Sequence, residues 1–193
     1  MSLRRAVDRP LIERFLRLVG EQYRRRGRLL LVGGTTLVYE GLRQQTLDVD
    51  LVLEVADADH GALIQVMREV KQALDINVEE ASPGDFIPLP AGYANRHIFI
   101  GTFGQVDVFH FDLYSLSLSK IERGRRQDLR DVILLLQDHR ITWEQLGSQF
   151  QEILPQMELK SLRQDSAEFE SNFRALATQW RSAGGRLDTV PPV

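Results

Sequence analysis

The chain has no cysteine in its 193 residues, which excludes disulfide staples, zinc fingers and any other thiolate metal site. It also lacks an apolar run near the roughly 20 residues that a membrane helix requires, and Met1-Ser2-Leu3-Arg4-Arg5 has no apolar stretch behind it. Neither membrane insertion nor secretion is therefore expected, and a reducing cytoplasm suits the composition. No internal repeat or low-complexity tract appears. The four histidines, His60, His97, His110 and His139, show no metal-ligand spacing, and no serine sits on a nucleophile elbow.

What is present is an ordinary globular composition, 43% hydrophobic and 26% charged. The charge is unevenly spread. Residues 1 to 28 carry nine arginines against Asp8, Glu13 and Glu21, whereas the rest carries fifteen basic and twenty-four acidic residues. An Arg-rich first helix can attract RNA or an acidic protein, and it can equally be a solvated face whose Arg stems cover apolar surface.

Periodicity divides the chain. Leu11, Ile12, Phe15, Leu16, Val19 and Tyr23 recur at helical spacing after Pro10. Leu29 to Val32 reads as a buried strand running into a Gly33-Gly34 turn and a short helix, Thr35 to Leu42. Thr46 to Val55 alternates as a half-buried strand. Asp59 is expected to cap a helix ending near Leu74, before a short strand at Ile76 to Val78. Ser82 to Gly92 is a Pro- and Gly-rich loop, and His97 to Phe111 reads as a hairpin. Thereafter the pattern is helical: Leu113 to Arg123, Arg126 to Gln137, Trp143 to Ile153, and Ala167 to Ala183 behind an Asp165-x-x-Glu168 capping box. The expected fold is α/β (α+β), a small mixed sheet flanked by helices with a C-terminal helical bundle. Residues 1–111 form the core, 112–183 the helical subdomain and 184–193 a loose tail.

The chemistry concentrates in two neighbouring features. Glycines after a strand let backbone N–H groups approach phosphate oxygens. Asp48 and Asp50, two apart on a strand, leave from one face about 7 Å apart, close enough to share hard divalent cations. A third carboxylate normally completes such a site. Asp107 is the candidate because it lies in the apolar run Val106-Asp107-Val108-Phe109, where an ionised side chain needs a partner. Asp112, at a strand-to-helix junction, is the reserve.

Gly33-Gly34-Thr35, then Asp48-x-Asp50, then an isolated strand Asp, resembles the signature of the DNA polymerase beta-like nucleotidyltransferase superfamily over roughly residues 29 to 137. Gly41-x-Arg43, Thr46-x-Asp48-x-Asp50 and Asp128-Leu129-x-Asp131 most resemble the minimal bacterial AbiEii-type proteins, some of which are toxins of toxin-antitoxin pairs. The resemblance implies two Mg2+ (or Mn2+) ions on Asp48, Asp50 and Asp107. It further implies an NTP triphosphate at Gly33, Gly34 and Thr35, with Arg43 and Lys120 as phosphate contacts and Asp128 orienting one of them. The reaction implied is transfer of an NMP to a hydroxyl of an RNA such as tRNA, a protein or a small molecule, in a chain that can have an antitoxin partner. Two positions depart from the family pattern: Gln127 where an Arg usually stands, and Leu47 where a polar residue often precedes the first Asp. A fold kept as a non-catalytic binding module is the alternative.

Overall fold

The computed structural model describes residues 5–160 and 165–187. In chain order the elements are α1 (Arg9–Gln22), β1 (Gly27–Leu31), α2 (Gly33–Tyr39), β2 (Asp48–Glu54), α3 (Asp57–Leu74), β3 (Asn77–Glu80), β4 (Ile98–Phe103), β5 (Val106–His110), α4 (Leu113–Arg123), α5 (Arg126–Gln137), α6 (Trp143–Lys160) and α7 (Ser166–Ser182). The contacts divide into two compact units. The first contains residues 1–82 and 97–111, and the second contains residues 83–96 and 112–193.

The first unit is built on one five-stranded mixed sheet in the order β3-β2-β1-β5-β4. β1 is central because Leu29, Leu30 and Leu31 are apolar on both faces, as a strand buried on both sides must be. It runs antiparallel to β2 and parallel to β5. One sheet face, with Leu29, Leu31, Val49, Leu51, Val106 and Val108, packs against Phe15, Leu16 and Val19 of α1 and Leu63, Met67 and Val70 of α3. The 3.6-residue stripe of α1 thereby meets the two-residue alternation of the strands. Asp8 caps α1 by accepting from the Leu11 N–H at 3.0 Å. α3 starts at Asp57, two residues before the expected cap; Asp59 lies in its first turn and pairs with Arg25 instead.

The second unit is helical. Its core stacks Phe150 on Phe173 at 4.0 Å, with Phe169 and Trp143 beside them. Asp112 is the N-cap of α4, accepting from the Tyr114 and Ser115 N–H groups and, in a bidentate pair, from Arg96 at 3.0 and 2.8 Å. That pair, with the bond from Ala91 N–H to Glu152 Oε1 at 2.6 Å, shows why the Pro-rich loop expected to belong to the sheet core groups with the helices. α6 continues beyond the expected stop at Ile153 and runs through Pro155; Met157, fully buried past the proline, anchors its last turns. The Asp165 cap of α7 is present, with the Ala167 N–H donating to it at 2.9 Å. Part of the expected loose tail is ordered, since Trp180 Nε1 donates to Arg186 O; residues 188–193 lie outside the described residues. Among the described residues no helix is long and apolar enough to cross a membrane.

Candidate active site

The end of β1 meets the start of β2, and this junction places the carboxylate pair. Leu31 pairs with Leu51, so Val32 stands level with Asp50, whose carbonyl accepts the Val32 N–H at 3.1 Å. Asp48 and Asp50 point to the sheet face away from α1 and α3, because Val49 and Leu51 between and beyond them point into the core. Both acids are half-buried.

Gly33 is needed here for two reasons. Its φ is +58°, a left-handed conformation that an L side chain resists, and a Cβ at this position would overlap Asp50 Oδ2. The carboxylate therefore lies directly over the turn. Gly34 is equally crowded: its missing Cβ would come within 2.5 Å of Thr46 Oγ1 and 3.1 Å of Arg43 Nη1. The two glycines thus admit the chain's own carboxylate and guanidinium to the turn. Arg43 is brought to Gly34.

Thr35 has a different task from the expected phosphate contact. It is fully buried, and its hydroxyl accepts the Asp50 N–H at 2.8 Å while donating to the Asp48 carbonyl at 3.3 Å. This clamp fixes the backbone on both sides of Val49, and with it the directions of the two acids. Its oxygen is occupied by β2, so the Thr35 side chain positions the pair.

β3 supplies a contribution that the sequence reading missed. It pairs in parallel with β2, setting Asn77 beside Asp48 and Glu79 beside Asp50 on the same face. The Asn77 amide is buried and donates to Asp48 Oδ1 at 2.5 Å and Glu79 Oε1 at 2.6 Å, while its oxygen accepts from Lys71 Nζ at 2.7 Å. Lys71 thereby fixes the amide's orientation, and the amide fixes the Asp48 rotamer. The alternation of Asn77 and Glu79 was the available signal, but it becomes legible only when the β2–β3 register is known.

Asp107 is not brought to this cluster. Arg28 pairs with Asp107 and also with Glu54, at the far end of β2. The residue of β5 level with Asp50 is Phe111, four positions further on, which puts Asp107 about 13 Å away along the strand and about 10 Å across. One ion with oxygen ligands at roughly 2.0–2.6 Å cannot span that distance. Asp107 instead accepts from Thr102 Oγ1 at 2.6 Å. Its apolar flanks, Val106 and Val108, point to the opposite face, so it faces no burial cost that demands a metal. Among the described residues no three His, Asp or Glu side chains form a ready metal-binding group.

Lys120 and Asp128 lie in the second unit. Lys120 is 2% exposed, with Nζ donating to Asp131 at 2.7 Å and to Asp128 at 3.2 Å. Asp128 also accepts from Arg123 at 2.8 Å, and Asp131 from Gln127 Nε2 at 2.9 Å. Asp128 thus contacts Lys120 and not an exposed phosphate-binding group, the ammonium being committed to two internal carboxylates. Gln127, the departure from the family pattern, donates to Asp131 while leaving two cations against two anions.

His110 lies on the core-facing side of β5, fully buried, with Nε2 2.7 Å from Glu40 Oε1, so it ties the end of α2 to the sheet.

A glycine turn after the central strand and a carboxylate pair at the head of its antiparallel neighbour, within a five-stranded mixed sheet, is the arrangement that the resemblance led us to expect of a nucleotidyltransferase core. The chain belongs to the family described as "Nucleotidyltransferase of unknown function (DUF6036)", whose sequence model matches residues 11–181. No curated protein matches it, and no solved structure does.

Proposed function

We propose that the protein transfers an NMP from an NTP to a hydroxyl acceptor with Mg2+ or Mn2+, and that Asp48 and Asp50 hold the metal. The observation that carries this reading is the preorganisation of the pair. The Thr35 clamp, the Gly33 turn and the Lys71–Asn77 relay all fix two half-buried carboxylates at one strand end. Two carboxylates so placed fit hard oxygen-seeking cations. A bound divalent metal supplies charge neutralisation on the phosphates and a lowered pKa for an attacking hydroxyl. Arg43, at the Gly34 turn, is suited to a triphosphate oxygen, and the Gly33 and Gly34 N–H groups lie beside it. Phosphoryl chemistry of this kind depends on positioning and charge more than on covalent participation, and rigidly held acids suit it.

The family-level resemblance to AbiEii-type proteins extends the reading to an RNA such as tRNA, a protein or a small molecule as acceptor, and to an antitoxin partner. Cytoplasmic residence accords with the cysteine-free sequence.

A second reading, a non-catalytic module that binds RNA or a protein, draws on two observations. Asp107 is remote from the pair, and Lys120 is committed internally. The test is incubation with each α-labelled NTP, Mg2+ or Mn2+, total tRNA and cell extract, beside the Asp48→Asn/Asp50→Asn double variant. Label transferred by the wild type alone supports the enzyme. A folded double variant that still transfers sinks the mechanism, and metal-independent partner binding without any transfer supports the module.

A further inference from the structure

The sheet face that carries Asp48 and Asp50 changes character toward its other end. Leu30 and Phe111, nearer the acids, are buried, but Phe99 on the edge strand β4 is 58% exposed although it lies in a strand. Phe99 pairs directly with Phe109 of β5, and the rings meet edge to face at 5.3 Å. Arg28 of β1 lies over the Phe109 ring, its guanidinium 4.4 Å from the centroid. An exposed aromatic, a second aromatic and a stacked arginine thus cross three neighbouring strands on one face. Phe99 thus keeps more than half of its surface in water, and Ile98 beside it on the opposite face is also exposed, at 45%.

Beside this platform lies a groove of about 1110 Å³, lined among others by Arg26, Arg28, Glu54, Asp59, Thr102 and Asp107. Its acids are engaged: Glu54 by Arg28 at 2.8 Å, Asp59 by Arg25, and Asp107 by Thr102. Arg24 and Arg26, by contrast, form no ion pair among the described residues and are exposed where the chain enters β1. Asp107, which accepts from a neutral hydroxyl, keeps its negative charge, so the uncompensated positive charge at this edge lies at Arg24 and Arg26.

We propose that Phe99, Phe109 and Arg28 form a stacking platform for a single-stranded nucleic acid, with Arg24 and Arg26 meeting its phosphates. Resting on the transfer reading above, this makes a nucleic acid the acceptor class. Bases present π-faces that stack on exposed aromatic and guanidinium planes on an open sheet, and nearby arginines track the backbone. The platform and the carboxylate pair occupy one face of one sheet, and across β1 the platform meets β2 at Glu54, four residues beyond Asp50. A second protein chain covering the same patch would need apolar complementarity and would gain little from unpaired arginines at its rim.

The test is fluorescence anisotropy of a short labelled single-stranded oligonucleotide, in RNA and in DNA form, with the full-length protein. Phe99→Ala, a surface change whose fold is checked by circular dichroism, should weaken binding by roughly ten-fold or more. Phe99→Trp should retain it, with its indole emission quenched on saturation, whereas Ile98→Ala, on the opposite face, should leave it unchanged. Arg26→Gln should weaken binding and flatten its salt dependence. Absence of binding by the folded wild type, or equal affinity of Phe99→Ala, overturns the proposal. So does self-association or protein capture that Phe99→Ala removes while oligonucleotide affinity stays the same. The two readings fail separately, because oligonucleotide binding is read without metal or NTP, whether or not the wild type proves to transfer nucleotides.

Discussion

At the residue scale, Gly33 and Asn77 have parts that can be separated by measurement. Gly33→Ala forces a side chain into a left-handed backbone and onto Asp50 Oδ2. We expect a stability loss of about 1–2 kcal/mol in urea unfolding. Nucleotidyl transfer should fall by on the order of 100-fold, because a displacement of about 1 Å at a reacting group costs that much. Asn77→Ala removes the donor that holds Asp48 and the main acceptor of the Lys71 ammonium. On the metal role proposed for Asp48, Mn2+ affinity, read by water proton relaxation, should drop about 10- to 100-fold, the usual effect of removing a hydrogen-bond partner of a metal ligand. Unchanged Mn2+ affinity in a folded Asn77→Ala protein would show that the relay is structural only. Asp48 and Asp50 were legible in the sequence because the apolar residues alternating with them fix their face. Asp107 was misassigned as their partner for the converse reason: sequence gives the face of an isolated strand residue but not its level, and only the β1–β5 register shows which end of the sheet it occupies.

At the scale of elements, α4 and α5 are joined by charge inside a helical core. Lys120→Met leaves Asp128 and Asp131 short of a buried cation, which should cost about 3–5 kcal/mol in chemical denaturation. The double change Lys120→Met/Asp131→Leu should recover part of that loss, and the mutant cycle isolates the pair. Glu122, also on α4, has its carboxyl pushed above the usual range chiefly by burial; Arg123 opposes the shift and Glu168 adds to it. A raised folded-state pKa means that the native state holds the proton more tightly than the unfolded chain does. Its stabilising effect is thus present below the unfolded pKa and is lost as pH rises through the folded value. Glu122→Gln should accordingly raise the urea midpoint at neutral pH, with the difference vanishing in acid where the wild-type carboxyl is protonated. The helices themselves were readable from their apolar spacing and, for α7, from the Asp165 cap, whereas the Asp8 cap of α1 emerged only in the structure. The continuation of α6 past Pro155 was not, because a proline's local preference to end a helix is overridden by the burial of Met157, a tertiary effect.

At the scale of the whole molecule, neither unit is a continuous stretch of chain. The polypeptide leaves the sheet after residue 82, returns at 97 and leaves again after 111. A fragment ending at Phe111, the boundary suggested by composition, would carry Pro83–Arg96 without Asp112 or Glu152, its partners in the helical unit, and with Ile87 deprived of cover. We expect that fragment to bind a hydrophobic dye and to unfold without a sharp transition. The excursion can be replaced, because β3 and β4 form the two edges of the sheet, four strand spacings or about 19 Å apart. A flexible Gly/Ser segment of about fourteen residues has a root-mean-square span of about 20 Å, which matches that separation with little closure strain. Residues 1–111 with Pro83–Arg96 exchanged for such a segment should therefore unfold cooperatively in urea and still bind Mn2+ through Asp48 and Asp50. A substituted fragment as unstable as the native-sequence fragment would show instead that the sheet depends on the helical unit for its stability, and that the two units form a single folding unit.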